Sequence, residues 1–183
     1  ITREVPKPLV KYRGKPLIEH VLSRLELSEV SKIYVSVFYL AKQIEHYLEA
    51  YQSSKNITVL AETEPLGTAG AISLVPIEVN NDIIVTNSDV VSEVDFNALL
   101  EFHRSNNFDV TIAVAKHSVQ IPFGVVQHDT HGGFQAIDEK PVISNRIAAG
   151  IYCLKSELIK DLEIQGHLDM PALLGVAKEK NKN

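Results

Sequence analysis

Apolar positions Leu17, Ile18, Val21, Leu22 and Leu25 recur at three- and four-residue intervals. They form one stripe of a helix spanning Lys15 to Leu27. The run Ile33 to Phe38 (IYVSVF) is β-branched and aromatic and predicts a strand. Helical spacing returns from Ala41 to Tyr51 through Ile44, Tyr47, Leu48 and Tyr51. A second strand is expected at Ile57 to Ala61, a short helix at Thr68 to Val75, and a strand at Ile83 to Thr86. That last run is nearly all apolar, as in a strand covered on both faces. Asp95 has the character of an N-cap, with Val94 and Leu99 placed for a hydrophobic staple, and starts a helix to about Ser105. The alternation of strand and helix predicts a mostly parallel sheet with helices on both faces.

Beyond Phe108 the rhythm changes. Val110–Ala115, Phe123–His128, Phe134–Ile137 and Ile147–Leu154 predict strands, with His131-Gly132-Gly133 as a hairpin-type turn. Ser156–Leu162 and Met170–Lys180 predict helices, and the polar end from Lys178 to Asn183 is expected to fray. This half reads as an antiparallel or mixed extension of the same sheet. No Pro/Gly/Ser linker divides the halves, so residues 1–183 are expected to form one domain.

Composition narrows the function classes. The chain has 183 residues and a formal charge of −5, against the basic footprint of a nucleic-acid or anionic-membrane binder. Its single cysteine, Cys153, excludes an internal disulfide and points to a reducing cytoplasm. No apolar run approaches the roughly 20 residues of a membrane span. His128, Asp129 and His131 sit at a predicted hairpin tip, where a solvated turn accounts for them better than a metal. Without a thiolate partner Cys153 completes no zinc framework. No Gly-x-Ser-x-Gly is present.

Four segments carry candidate chemistry. In Pro6-Lys7-Pro8-Leu9 two prolines restrict the backbone around Lys7, whose ammonium can meet a phosphate; an extended surface loop accounts for the same residues. Pro65-Leu66-Gly67-Thr68-Ala69-Gly70-Ala71 is a small-residue turn opening a helix, able to present free N–H groups to an anion or a base edge, or to serve as a tight packing loop. Ile83 to Asp89 is an apolar strand ending Asn87-Ser88-Asp89, which places Asp89 at the carboxyl edge of the sheet. There an aspartate holds Mg²⁺ beside a phosphate, or caps a turn. The fourth comprises Phe123-Gly124-Val125-Val126, Asp138-Glu139-Lys140-Pro141 and Ala148-Ala149-Gly150-Ile151-Tyr152. Glu139 can accept from sugar hydroxyls, Lys140 can neutralise a phosphate, and Gly124 and Gly150 let a flat ligand lie on backbone; a hairpin with a surface ion pair is the alternative.

The order PKPL, PLGTAGA, apolar strand–NSD, FGVV, EKP, AGIY resembles the sugar-1-phosphate nucleotidyltransferase family, and most of all its mannose-1-phosphate guanylyltransferase and glucose-1-phosphate thymidylyltransferase branches. VDFNALLEFH, FGVVQHD and LDMPALL add to the likeness, which covers Val5 to about Leu174. The resemblance implies a Rossmann-like α/β/α sandwich with a mostly parallel, mixed central sheet, the nucleotide-diphospho-sugar transferase fold. It implies nucleotidyl transfer from an NTP, with GTP slightly favoured, to a sugar 1-phosphate, giving nucleotide-sugar and pyrophosphate. By the same resemblance Lys7 contacts the triphosphate and Lys140 the sugar phosphate, both in catalytic roles. Leu66, Gly67, Thr68 and Asp89 bind nucleotide, Asp89 with Mg²⁺, and Gly124, Glu139 and Gly150 line the sugar pocket. A homo-oligomer stays open. The family's glycine-rich loop and second metal aspartate have no counterpart among these residues, and Ala148 stands where the family has asparagine. A domain incomplete at both ends is therefore expected. A non-catalytic regulatory or binding subunit of the same fold is the alternative reading.

Overall fold

The computed structural model describes residues 4–78, 80–180 and 182. Asn181 and Asn183, in the tail expected to fray, lie outside them, as does Ile1. The chain divides into two compact units, one of residues 1–112 with 150–183 and one of residues 113–149.

In the larger unit a short hairpin, β1 (Lys11–Tyr12) and β2 (Lys15–Pro16), turns through Arg13 and Gly14, both with positive φ. The hydrophobic stripe then becomes α1 (Leu17–Glu26), which buries Ile18, Val21, Leu22 and Leu25 as its spacing requires. β3 (Lys32–Val37), α2 (Ala41–Ala50) and β4 (Asn56–Ala61) form a strand–helix–strand unit whose strands pair in parallel, Ile33 opposite Ile57 and Val35 opposite Val59. The helix expected at Thr68–Val75 is one α-turn, α3 (Gly67–Gly70), running into a 3₁₀ turn at Ala71–Leu74. β5 (Asp82–Thr86) leads to α4 (Phe96–Ser105), where Asp95 accepts from the N–H groups of Asn97 at 2.9 Å and Ala98 at 3.1 Å, as an N-cap does.

Two strands are longer than their hydrophobic runs. β6 (Val110–Gln120) and β9 (Val142–Lys155) extend well beyond the expected 110–115 and 147–154. The added residues are mostly exposed on both faces, so no burial pattern marks them. β7 (Val125–His128) and β8 (Phe134–Asp138) form an antiparallel hairpin in the smaller unit, where Ser118 and Ser144 hydroxyls meet at 2.7 Å. Asp129 closes the hairpin turn by accepting from the backbone of His131 and Gly133, each at 2.8 Å.

One core cluster of the larger unit is built by the inner end of β9 with α3, α5 (Ser156–Leu162) and α6 (Met170–Glu179). Leu154, Leu158, Met170 and Leu173 are almost wholly enclosed. Burial of each such side chain stabilises by about 1.5–3 kcal/mol. The fold is thus the mixed α/β architecture expected, with one difference. β5 and β9 pair antiparallel, with Thr86 opposite Ile151, in the order β5-β9-β6, and the β3–β4 pair is a separate sheet. A cavity lined by both β3 and β5 lies where a single continuous sheet was expected.

Candidate functional site

The site forms where β5 stops being apolar. Past Thr86 the chain keeps contact with β9 through Asn87, whose N–H donates to the Gly150 carbonyl at 3.0 Å. Gly150 has φ +72°, and a Cβ there would stand 2.7 Å from Asn87 Nδ2. The amide of Asn87 therefore occupies the space that the missing side chain opens.

Lys7 arrives from near the start of the larger unit's sequence. Pro6 caps and Pro8 lies within a single 3₁₀ turn, Lys7–Leu9, closed by Leu9 N–H on the Pro6 carbonyl at 2.9 Å. Its ammonium forms an ion pair with Asp89 Oδ2. The side chains differ in exposure, 68% for Lys7 and 21% for Asp89, so the aspartate sits in the wall and the lysine reaches over it from solvent. Lys7, Gly67, Thr68, Asn87, Ser88 and Asp89 are among the residues lining a cavity of about 790 Å³. Four of the sequence-predicted nucleotide-side residues are thus together; the fifth, Leu66, is buried.

The turn before α3 departs from one expectation. Three of its N–H groups, those of Thr68, Ala69 and Gly70, are already engaged within the chain. Thr68 N–H donates to Asp169 Oδ1 at 3.2 Å, and the Ala69 and Gly70 N–H groups both donate to the Leu168 carbonyl at 2.9 Å. The Thr68 hydroxyl accepts from Met170 N–H at 2.8 Å, so the starts of α3 and α6 cap one another. Gly67, φ +73°, allows this: a Cβ would lie 2.8 Å from both Asp169 Oδ1 and the Leu168 carbonyl. Glu62 fixes the other side of the turn, accepting from Leu66 N–H at 2.8 Å and from the Ser36 hydroxyl at 2.5 Å. Sequence reasoning had not singled out Glu62, Asn87 or Asp169. Asn87 was visible in the polar triplet that ends the strand, and Asp169 in LDMPALL; Glu62 carried only its place just before the glycine turn.

In the smaller unit Gly124 lies against Glu139: a Cβ on Gly124 would be 3.0 Å from Glu139 Oε2 and 2.9 Å from Ile137 Cγ2. Lys140 takes a left-handed conformation, φ +48°, at the turn between β8 and β9, where Ile121 N–H donates to the Pro141 carbonyl at 3.0 Å. Gly124, Glu139 and Lys140 are all exposed. Among the described residues no group of three or more His, Cys, Asp or Glu side chains could hold a metal. No helix among them is long and apolar enough to cross a membrane.

The chain is 38% identical over 175 residues to mannose-1-phosphate guanyltransferase 2 of Candida glabrata, a match covering 90% of this chain and 48% of that protein. It spans about half the length of the curated relatives it matches. The crystal structure of HddC from Yersinia pseudotuberculosis superposes with a TM-score of 0.65 at 29% identity, covering 88% of this chain and 72% of that one. The same protein complexed with GMP-PN matches at 25% identity with a TM-score of 0.65, over 90% of this chain and 73% of that one. A UDP-glucose pyrophosphorylase complexed with UDP-glucose shares the fold, at 13% identity and a TM-score of 0.66, over 98% of this chain and 81% of that one. A family model described as nucleotidyl transferase matches residues 1–171, and the chain belongs to that family.

Proposed function

We propose that the protein transfers a nucleotidyl group from an NTP, GTP by preference, to a sugar 1-phosphate, with mannose 1-phosphate the first candidate. One observation carries the reading: Lys7 and Asp89, far apart in sequence, form an ion pair just past the end of the half-buried strand β5, on a cavity that Thr68 also lines. The relatives' names and the GMP-PN bound by HddC support the choice of guanine and mannose. In the reaction a phosphate oxygen of the sugar 1-phosphate bonds to the α-phosphorus of the NTP. The bond from that phosphorus to the α,β-bridging oxygen breaks, and pyrophosphate leaves. Such chemistry asks the protein mainly to align the reactants and to neutralise charge. Lys7 exchanges its partner Asp89 for triphosphate oxygens. Asp89, a carboxylate in the cavity wall, suits Mg²⁺, which commonly takes one or two carboxylates and completes its shell with phosphates and water. Mg²⁺ bound there would supply further charge neutralisation. Glu139, with Gly124 beside it, is the candidate acceptor for sugar hydroxyls, and Lys140 is the candidate cation that donates to the sugar phosphate. Gly150 acts through the Asn87 it supports. Cys153, free and buried, with its thiol pushed up to about 12 by burial, suits a reducing compartment such as the cytoplasm.

The test is pyrophosphate release by the protein of the full reading frame, with four NTPs crossed against several sugar 1-phosphates. The expected result is release that requires both substrates and is fastest with GTP. Absence of release with every pair overturns the reading.

A further inference from the structure

Helix α6 begins with a cap that serves another element. Asp169 is its N-cap residue, of a type that normally accepts from the second or third N–H of its own helix. Here its side chain makes no such bond. The sequence explains the diversion. Pro171 fills the second helical position and has no N–H to give. The third N–H, of Ala172, donates to the backbone carbonyl of Asp169 at 3.0 Å. The carboxylate is left to reach outward. Its Oδ1 accepts from Thr68 N–H at 3.2 Å and from the Thr68 hydroxyl at 3.5 Å. Asp95, whose helix has no proline in its first turn, caps that helix itself through Asn97 and Ala98.

The two ends of this contact are supported unequally. Directly after Asp169, Met170 and Leu173 are enclosed in the core cluster, so the start of α6 is a fixed base. Thr68 sits on a single exposed α-turn and lines the cavity that Lys7 and Asp89 also line. Both Thr68 and Asp169 are exposed, so their bond competes with water and adds little to stability. What it fixes is direction. The Thr68 hydroxyl accepts from Met170 N–H at 2.8 Å and donates toward Asp169, which leaves it one orientation. We infer that Asp169 is a positioning residue for the nucleotide. It touches no reactant and acts through Thr68, holding the Gly67–Thr68 turn at the distance from Lys7 and Asp89 that a nucleoside triphosphate requires. The inference rests on the nucleotidyl transfer proposed above.

The experiment uses the protein of the full reading frame and compares Asp169→Ala, Asp169→Asn, Pro171→Ala and Asp95→Ala. Pyrophosphate release gives kcat and both KM values, calorimetric titration gives GTP affinity, and urea unfolding gives stability. Asp169→Ala should raise the KM and Kd for GTP about tenfold, with kcat held within about threefold and the KM for mannose 1-phosphate within about twofold. Asp169→Asn keeps an oxygen that accepts from Thr68 and should bring the GTP values back to within about threefold of the unsubstituted protein. Pro171→Ala returns to α6 an N–H that competes for the carboxylate, and should raise the GTP KM about three- to fivefold without removing Asp169. Asp95→Ala should lower the urea midpoint and leave the GTP KM unchanged, which separates positioning from the loss of any helix cap. A GTP KM within about twofold of the unsubstituted protein in Asp169→Ala or, if that variant does not fold, in Pro171→Ala, overturns the inference. So does an equal rise in KM for both substrates, or an asparagine variant as impaired as the alanine one. Unsubstituted protein that neither binds GTP nor releases pyrophosphate overturns the reaction itself, and the inference with it; a failure confined to the variants overturns the inference alone.

Discussion

Replacing Gly67 with alanine should lower stability by about 2–5 kcal/mol. Two costs combine. At φ +73° an L-residue pays roughly 1–2 kcal/mol for the left-handed conformation. The new Cβ would also sit 2.8 Å from the Leu168 carbonyl and 2.8 Å from Asp169 Oδ1. The aspartate can rotate away, but the carbonyl cannot easily do so. It accepts from Ala69 and Gly70 N–H, and Leu168 N–H donates to Leu66, all at 2.9 Å. Forcing it back strains that junction, an overpacking cost of about 1–3 kcal/mol. Gly14 is the internal control: its φ is +84°, and a Cβ there meets nothing within 4 Å. Gly14→Ala should therefore cost only the conformational part. Urea unfolding followed by circular dichroism on both variants isolates the packing contribution as the difference between them. Equal midpoints would refute the claim that the 166–169 segment fills the space at Gly67.

Asp89→Asn should cut turnover at least about a hundredfold in a pyrophosphate-release assay. Its effect on the urea midpoint should stay within about 1 kcal/mol, since the Lys7 partner is largely solvent-exposed. Asp95→Ala should cost about 1 kcal/mol by the same unfolding measurement, because two helix N–H groups lose their acceptor. His103 is wholly buried, its Nδ1 2.8 Å from the Thr111 hydroxyl and its Nε2 3.7 Å from Asp82 Oδ1. Burial lowers its pKa below 6.5; Lys155 and Arg104 push the same way, against Asp82 and Asp109. The unfolded chain then takes up a proton that the folded one refuses, so stability falls as pH drops below 6.5 toward the folded value. Unfolding midpoints measured across that window should show this slope, and His103→Gln should flatten it.

Where one face of an element is buried, the chain announces the element. The stripes of α1, α2 and α4 and the apolar runs of β3 and β5 were legible because burial, full or partial, imposes a period of 3.6 on helices and apolar residues on strands. Where no face is buried, the signal is gone. Residues 116–120 of β6 and 142–146 of β9 are strand, yet Lys116, His117 and Ser118 carry no alternation, and pairing rather than burial extends them. The Arg13-Gly14 hairpin was missed for a related reason: two-residue strands are too short to show a period.

The site divides along a different line. Lys7 and Asp89 were readable because each sits where local sequence constrains it, one between prolines, the other at the end of an apolar strand. Glycines are less informative: their chemistry says that something comes close without saying what. At Gly67 and Gly150 the expected visitor was a ligand. In both places the neighbour is the chain itself, Leu168 with Asp169 in one case and Asn87 in the other. Asp169 lies 101 residues from Thr68, and no pattern local to PLGTAG could foretell that its N–H groups are already engaged. The small residues therefore shape the site indirectly. They let backbone segments lock together tightly enough to hold the Thr68 and Asn87 side chains steady, and those side chains, with Lys7 and Asp89, line the cavity in which we propose that the nucleotide binds.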